Sequence, residues 1–305
     1  MTTWLPYPYR PDYFADLPVS VHICPSPDKM PGDPAEVDFF VPPFLSSGPV
    51  VEMTSQMPNL RVIQLLSAGA DAWIGRVPAG VTLCDGRGVH NASTAEWALT
   101  AILTCLRTFP AFIRAQAAGH WLGRDEIGLA PELTGKRVLI VGAGAIGDAL
   151  GNRLVACEAG VVKVARTARD GVYGVDDLPK LLPEADVVVL LVPLTRETTG
   201  MVDAGFLARM RDGALLVNAA RGPIVVTEAL MAEAGGGRIA AALDVTDPEP
   251  LPDGHPLWSM PNVLITPHVG GAVAGLLGRS YALVHDQLRR YTSGVPLDNV
   301  VTGDY

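Results

Sequence analysis

Three side chains able to bind an anion or move a proton stand just beyond apolar runs: Arg221 in VNAARGPIVV, Glu249 in ALDVTDPEPLP and His268 in NVLITPHVGG. A guanidinium presents forked donors to carboxylate or phosphate oxygens. An imidazole and a carboxylate are the commonest carriers of protons in general acid–base chemistry. The runs that precede them read as strands, and ligands of open α/β sheets bind outside the carboxyl ends of strands. Arg221, Glu249 and His268 are therefore expected on one side of one sheet.

That side should also hold a dinucleotide. VLIVGAGAIG, residues 138–147, carries Gly142, Gly144 and Gly147 spaced G-x-G-x-x-G after an apolar strand and at the opening of a helix. Gly142 allows the tight turn, Gly144 lets the backbone approach a pyrophosphate, and Gly147 lets the helix pack closely on its strand. The amides of Ala145, Ile146 and Gly147 lie at the positive end of that helix. An acidic residue about 20 positions on would bind the ribose 2′-hydroxyl of NAD. Here the second strand, VVKVA, runs instead into Arg166, Thr167, Ala168 and Arg169, and Asp170 comes a few residues late. Two guanidiniums and a hydroxyl suit a 2′-phosphate, so NADP(H) is expected in preference to NAD(H).

The elements that must position these groups fall into two series. With 305 residues, the chain exceeds what one hydrophobic core usually holds, so two domains are expected. VSVHIC (19–24), VDFFVP (37–42), LRVIQLL (60–66) and VTLCDG (81–86) read as strands of a first α/β unit. Ser93 and Glu96 then read as an S-x-x-E capping box, opening a helix that runs to Pro110. From residue 137 follow RVLIVG, VVKVA (161–165), ADVVVLLV (185–192), GALLVNAA (213–220), IAAALDV (239–245) and VLITPH (263–268). Continuous apolar strands of this kind suit a parallel sheet covered on both faces. Residues 271–294 read as a helix ending at Gly294 that packs back on the N-terminal half.

Composition narrows the partners. The net charge of −9 argues against nucleic acid or an anionic membrane surface. The N-terminal MTTWLPYPYR lacks a basic segment followed by an apolar one, so no secretory signal is expected. Cys24, Cys84, Cys105 and Cys157 form no CxxC pair and read as buried free thiols of a reducing cytoplasm. His22, His120, His255 and His285 have no partner at metal-ligand spacing, and no metal site is expected.

Taken together, these motifs resemble the D-isomer-specific 2-hydroxyacid dehydrogenases, which include glyoxylate/hydroxypyruvate reductases. The resemblance spans LLSAGAD (65–71), VPLTRETTGMV (192–202), HPLWSMPNVLITPH (255–268) and ITPHVGG (265–271). It implies two α/β domains: a Rossmann doubly wound parallel sheet inserted into a smaller flavodoxin-like substrate domain, with the active site in the cleft between them. The boundaries expected are 1–95 with 272–305 for the substrate domain and 96–271 for the dinucleotide-binding domain. It further implies a homodimer, in which Trp121 either reaches the partner through the family's dimer arm or is an ordinary core or surface aromatic.

In the roles the resemblance implies, Arg221 clamps the carboxylate and 2-oxo oxygen of a small 2-oxoacid. His268 gives its proton to that oxygen as hydride reaches C2, and Glu249 pairs with the imidazole and favours its charged form. Reduction should then be supported while the imidazole is protonated, and oxidation while it is neutral. Formate dehydrogenases of this family place Gln beside the His, so Glu249 argues against formate oxidation. Backbone amides of Ala68 and Gly69 are expected to hold the carboxylate, and Ser67 either helps them or only stabilises the turn. Pro193 and Thr198 are expected beside the cofactor, and Thr94 either donates to a cofactor phosphate or simply sits in the first helical turn. Asp244 matches a position near the nicotinamide carboxamide or caps local backbone, and Asn218 reads as structural. His90 stands where the family often has Asn, which leaves its role open. Two other readings compete. One is oxidation of phosphite or another small anion on the same scaffold, though the loop lacks the lysine of the phosphite enzymes. The other is a non-enzymatic dinucleotide-sensing interaction protein.

Overall fold

The computed structural model describes residues 1–10 and 12–303. The chain forms two compact units, Met1–His90 with Ala274–Tyr305, and Asn91–Val273. In chain order the first unit contributes β1 (Thr2–Leu5), β2 (Ser20–Ile23), β3 (Val37–Phe40), α1 (Pro49–Met53), β4 (Val62–Gln64) and β5 (Thr82–Cys84). The second holds α2 (Asn91–Leu106), α3 (Phe109–Ala117), α4 (Arg124–Ile127), β6 (Arg137–Val141), α5 (Ala145–Ala156), β7 (Gly160–Ala165) and β8 (Tyr173–Gly174). It continues with α6 (Leu178–Leu181), β9 (Val187–Leu190), α7 (Ala204–Arg209), β10 (Leu215–Asn218), α8 (Thr227–Gly235), β11 (Ala240–Leu243) and β12 (Val263–Ile265). The chain returns to the first unit for α9 (Leu276–Thr292).

In the first unit five parallel strands run in the order β2-β1-β3-β4-β5. This is the flavodoxin-like order. The interior strand β1, between β2 and β3, was not foreseen. Its four residues, TTWL, hold only two apolar side chains before Pro6 ends the run. Trp4 and Leu5 are nonetheless buried, on cores that include Ile63 and Leu65 for one and Phe39 and Leu66 for the other. Helix α9 closes this unit: Tyr281, Val284 and Leu288 pack with Leu5 and Phe39, and the Tyr281 hydroxyl donates to the Tyr7 carbonyl at 2.6 Å. A buried amide pair adds to this, with Gln287 Nε2 donating to Gln64 Oε1 at 2.7 Å.

The second unit carries a seven-stranded parallel sheet in the order β12-β11-β10-β9-β6-β7-β8. Successive strands spread to both sides of β6, so the chain reverses direction between β6 and β9. That topological switch point is where open α/β sheets bind ligands. Alternate residues of each strand enter two separate cores. Val138 and Ile140 join Ala95, Ala98 and Ile102 of α2 on one face. Leu139 and Val141 join Leu216, Leu243 and Leu207 on the other. Burial on both faces is why these strands read as continuous apolar runs. The two-residue strand β8 left no such signal.

Several boundaries differ from the sequence reading. Helix α2 begins at Asn91, so a domain boundary after residue 95 would fall inside it. Ser93 is buried within the first turn rather than standing at an N-cap, because the S-x-x-E spacing also occurs inside helices. The helix stops at Leu106, before Pro110, and Thr108 takes a left-handed φ of +55°. Pro110 lies in the first turn of α3, where its missing N–H costs no hydrogen bond. Helix α9 starts at Leu276 rather than at 271, after a glycine-containing stretch. All four cysteines are free, but only Cys24 and Cys84 are buried; Cys105 and Cys157 are partly exposed. Burial pushes the Cys84 thiol up to about 12 and the Cys105 thiol up to about 11. Among the described residues no single helix is long and apolar enough to cross a membrane.

Candidate active site

The glycine loop lies between β6 and α5, at the switch point. Gly142 has φ +122°, and a Cβ there would meet the Leu191 carbonyl carbon at 2.5 Å. A Cβ on Gly147 would stand 2.3 Å from the Gly142 oxygen, so packing of the chain on itself demands glycine at both positions. Gly144 differs: a Cβ there would meet nothing within 4 Å. The fold therefore has no need of glycine at 144, whereas close approach of a phosphate to the loop backbone does. The first intrahelical bond of α5 runs from Asp148 N–H to the Gly144 carbonyl at 2.9 Å. The amides of Ala145, Ile146 and Gly147 precede it, at the anion-attracting end of the helix. These residues fit a dinucleotide pyrophosphate.

Beyond β7 the chain turns sharply. Arg169 and Val172 exchange backbone hydrogen bonds at 2.9 and 2.8 Å, which places Asp170 at the tip of a tight turn. The Arg169 guanidinium reaches back to the glycine loop and donates to the Ala143 carbonyl at 2.6 Å. Arg166 and Thr167 are exposed. Glu197 sits close enough to feel Arg166: its carboxyl is held low first by the Thr195 hydroxyl, then by its own backbone amide and, more weakly, by Arg166 and Arg196. Thr198 is engaged within its own loop, donating to the Pro193 carbonyl at 2.7 Å and accepting from Thr195 N–H at 2.8 Å. Thr94 is buried in the first turn of α2.

The chemistry-bearing side chains gather at the carboxyl ends of β10, β11 and β12. His268 Nδ1 and Glu249 Oε1 are 2.6 Å apart, with side chains 23% and 40% exposed. The pair is thus reachable from solvent but partly desolvated. Glu249 belongs to a loop in which the Asp247–Pro248 and Glu249–Pro250 bonds are both cis. His268 itself has a left-handed φ of +53°. Arg221 follows β10 in extended backbone, and its guanidinium donates to the Ala220 carbonyl at 2.8 Å. Asn218, buried at the end of β10, donates from Nδ2 to the Arg221 carbonyl at 3.0 Å and accepts from Ala220 N–H at 3.1 Å. Asn218 is thus a scaffold for the arginine. Gly222 fixes the join between β10 and β11: a Cβ there would stand 1.9 Å from the Thr246 oxygen.

Asp244, at the end of β11, is only 4% exposed. Its carboxylate accepts hydrogen bonds from the Thr266 hydroxyl at 2.6 Å, Val269 N–H at 2.9 Å and Gly270 N–H at 2.7 Å. The local-capping alternative for Asp244 is therefore realised, with lone-pair capacity left on Oδ2 for a further donor. This network, with Trp97 donating from its indole to Thr266 Oγ1 at 3.1 Å, was missed in the sequence. The Thr of ITPH, two residues before His268, was the available signal.

In the first unit, the loop after β4 holds Ser67, Ala68 and Gly69. The Ser67 hydroxyl donates to the Gly69 carbonyl at 3.0 Å, so it stabilises the turn. Gly86 N–H donates to the Ser67 carbonyl at 2.7 Å, and a Cβ on Gly86 would meet the Leu66 oxygen at 2.5 Å. His90, open in role from sequence, has Nε2 2.9 Å from the Leu66 carbonyl. It supports the same loop and stands edge-on to Phe44. Among the described residues no group of three or more His, Cys, Asp or Glu could hold a metal ion.

Gly222→Ala is expected to displace the Arg221 loop, because a carbonyl at 1.9 Å cannot be accommodated without backbone movement. Displacement of about 1 Å should cost about 100-fold in turnover. Steady-state kinetics together with circular dichroism would check this, and parental kcat in a folded variant would contradict it.

Comparison with known proteins agrees with this geometry. Residues 99–270 match the family described as D-isomer specific 2-hydroxyacid dehydrogenase, NAD binding domain. The mitochondrial formate dehydrogenase of Solanum tuberosum is 32% identical over 299 residues, covering 92% of this chain and 78% of that protein. A D-isomer specific 2-hydroxyacid dehydrogenase from Xanthobacter autotrophicus Py2, solved with NADPH and MES, is 30% identical with a TM-score of 0.83, over 99% of this chain and 98% of that one. The NADPH-dependent glyoxylate/hydroxypyruvate reductase of Sinorhizobium meliloti, solved with NADP and sulfate, superposes with a TM-score of 0.83 at 26% identity, over 98% of each chain. With a nucleotide loop at the switch point and an Arg, a Glu and a His beyond three neighbouring strands, the chain belongs to the D-isomer specific 2-hydroxyacid dehydrogenase family and is an NAD(P)-dependent oxidoreductase.

Proposed function

We propose that this enzyme is an NADP(H)-preferring reductase of small 2-oxoacids such as glyoxylate or hydroxypyruvate, giving the D-2-hydroxyacid where C2 is chiral. The observation that carries this reading is the Glu249–His268 pair, 2.6 Å between carboxylate and imidazole. Glu249 engages Nδ1 and leaves Nε2 as the atom that exchanges a proton with the oxygen on C2. In reduction Nε2 donates that proton; in oxidation it accepts it. The carboxylate holds the ring in place through Nδ1. Arg221 fixes the acid by its forked donors, and the amides of Ser67, Ala68 and Gly69 take the carboxylate. The bound dinucleotide supplies or removes the hydride.

Gly142, Gly144, Ala145, Ile146, Gly147, Pro193, Thr198, Thr94 and Asp244 are assigned to the cofactor. Arg166, Thr167 and Arg169 are assigned to a 2′-phosphate. The tether from Arg169 to Ala143 supports this, since it keeps one guanidinium beside the glycine loop. The NADPH and NADP complexes of the two similar structures support it as well. We take the enzyme to act in the cytoplasm as a homodimer, without nucleic acid or membrane. The net charge of −9 disfavours nucleic acid and an anionic membrane surface, and Trp121 and Leu129, 92% and 89% exposed, are suited to a partner subunit. The likeness to formate dehydrogenases favours formate as a second substrate to test, against which stands the carboxylate of Glu249 beside His268.

Absorbance of NADPH and NADH, followed with glyoxylate, hydroxypyruvate and larger 2-oxoacids, and in reverse with formate and phosphite, tests the assignment. Turnover of at least one 2-oxoacid, with a lower KM for NADPH than for NADH, is expected. Preference for NADH would overturn the cofactor assignment, and oxidation of formate or phosphite alone would overturn the substrate class. His268→Gln should lower kcat by about 100-fold or more while changing the Kd for NADPH by less than about threefold. Near-parental turnover would remove His268 from the reaction.

A further inference from the structure

His268 is held in a backbone conformation that residues bearing a Cβ disfavour, at φ +53°. Besides a bond from His268 N–H to the Thr266 carbonyl at 3.0 Å, the restraint on this loop comes from Asp244. Asp244 accepts three consecutive amides: its carbonyl takes His268 N–H at 2.7 Å, Oδ1 takes Val269 N–H at 2.9 Å and Oδ2 takes Gly270 N–H at 2.7 Å. The carboxylate is itself oriented. Thr266 has one hydroxyl proton and gives it to Oδ1 at 2.6 Å, and its lone pair takes the Trp97 indole N–H at 3.1 Å. The chain of donors is therefore directional, from indole to hydroxyl to carboxylate to the loop that carries the imidazole. Packing tightens it further: a Cβ on Gly270 would stand 2.8 Å from Asp244 Oδ2 and 3.4 Å from Trp97 Cγ.

We propose that Trp97 and Thr266 are positioning residues for His268, acting through Asp244 to hold the imidazole where it meets Glu249 and the substrate oxygen. This rests on the reading of His268 as the proton carrier. Neither residue needs to touch the reacting atoms. A buried carboxylate that loses its hydroxyl donor, or an indole N–H that loses its acceptor, relaxes toward other partners, and the three amides move with it.

Full-length Thr266→Val, Thr266→Ser and Trp97→Phe variants test the proposal, with NADPH and glyoxylate as probes. Valine keeps the branched shape without the hydroxyl, and phenylalanine keeps an aromatic ring without the N–H. Thr266→Val is expected to lower kcat about tenfold while changing the KM for NADPH less than about twofold. Thr266→Ser should restore most of the loss. Trp97→Phe should lower kcat about threefold alone and add little in the Thr266→Val background, because both break one chain. Hydrogen exchange of the peptide covering residues 263–272 supplies a readout that needs no substrate. It should quicken in Thr266→Val and Trp97→Phe but not in Thr266→Ser. Parental kcat and exchange in Thr266→Val, or a serine variant as impaired as the valine one, would overturn the proposal. Should Thr266→Val not fold, Trp97→Phe decides by the same two readouts. If the parent reduces no 2-oxoacid, the proposed substrate fails, while the exchange data still decide whether Trp97 and Thr266 position the loop.

Discussion

The buried carboxylate of Asp244 is the interaction on which the reactive end of this molecule depends. It meets the donors of Thr266, Val269 and Gly270, and the Asp244 backbone receives His268 and rests on Asn218. A carboxylate removed from water is costly unless its lone pairs are filled. Here the donors that fill them are the amides of the segment that carries the imidazole. The cost of burial and the placement of His268 are thus settled by the same bonds. Because Asn218 also holds the Arg221 carbonyl, the arginine and histidine loops share one frame at the ends of adjacent strands.

The glycines serve two different masters. Gly142, Gly147 and Gly222 are imposed by the fold, since a side chain at any of them would run into backbone closer than van der Waals contact allows. Gly144 is imposed by nothing inside the protein. That contrast separates the part of the G-x-G-x-x-G pattern that the fold requires from the part that it leaves open. It also explains why the pattern alone is a weak sign of nucleotide binding: two of its three glycines would be needed for any strand-to-helix turn this tight.

Much of the fold was legible because the second sheet is buried on both faces. Runs such as VVVLLV can be little else than interior parallel strands, and Arg221, Glu249 and His268 stand where those strands end. What escaped had no periodic signature. Strand β1 is four residues with two threonines, and β8 is two residues long. The brace formed by Asp244, Thr266 and Trp97 joins residues up to 169 positions apart, a pairing that only the assembled sheet brings about. The start of α2 was misplaced because a capping-box spacing inside a helix looks the same as one at its end. His90 and Ser67 spend their polar atoms on the turn around Leu66 and Gly69, roles that residue type alone does not distinguish from contact with a substrate.

The central claim is that an imidazole paired with Glu249 carries the proton that accompanies hydride transfer. Single-turnover rates with NADPH and a 2-oxoacid in water and in heavy water test it most directly. An imidazole that gives its proton as hydride arrives makes the step slower in heavy water. The account predicts that slowing in the parent enzyme and its loss, with most of the rate, in a Glu249→Gln, His268→Gln double variant. Equal rates in the two solvents for the parent, or an unchanged rate and isotope effect in the double variant, would contradict it.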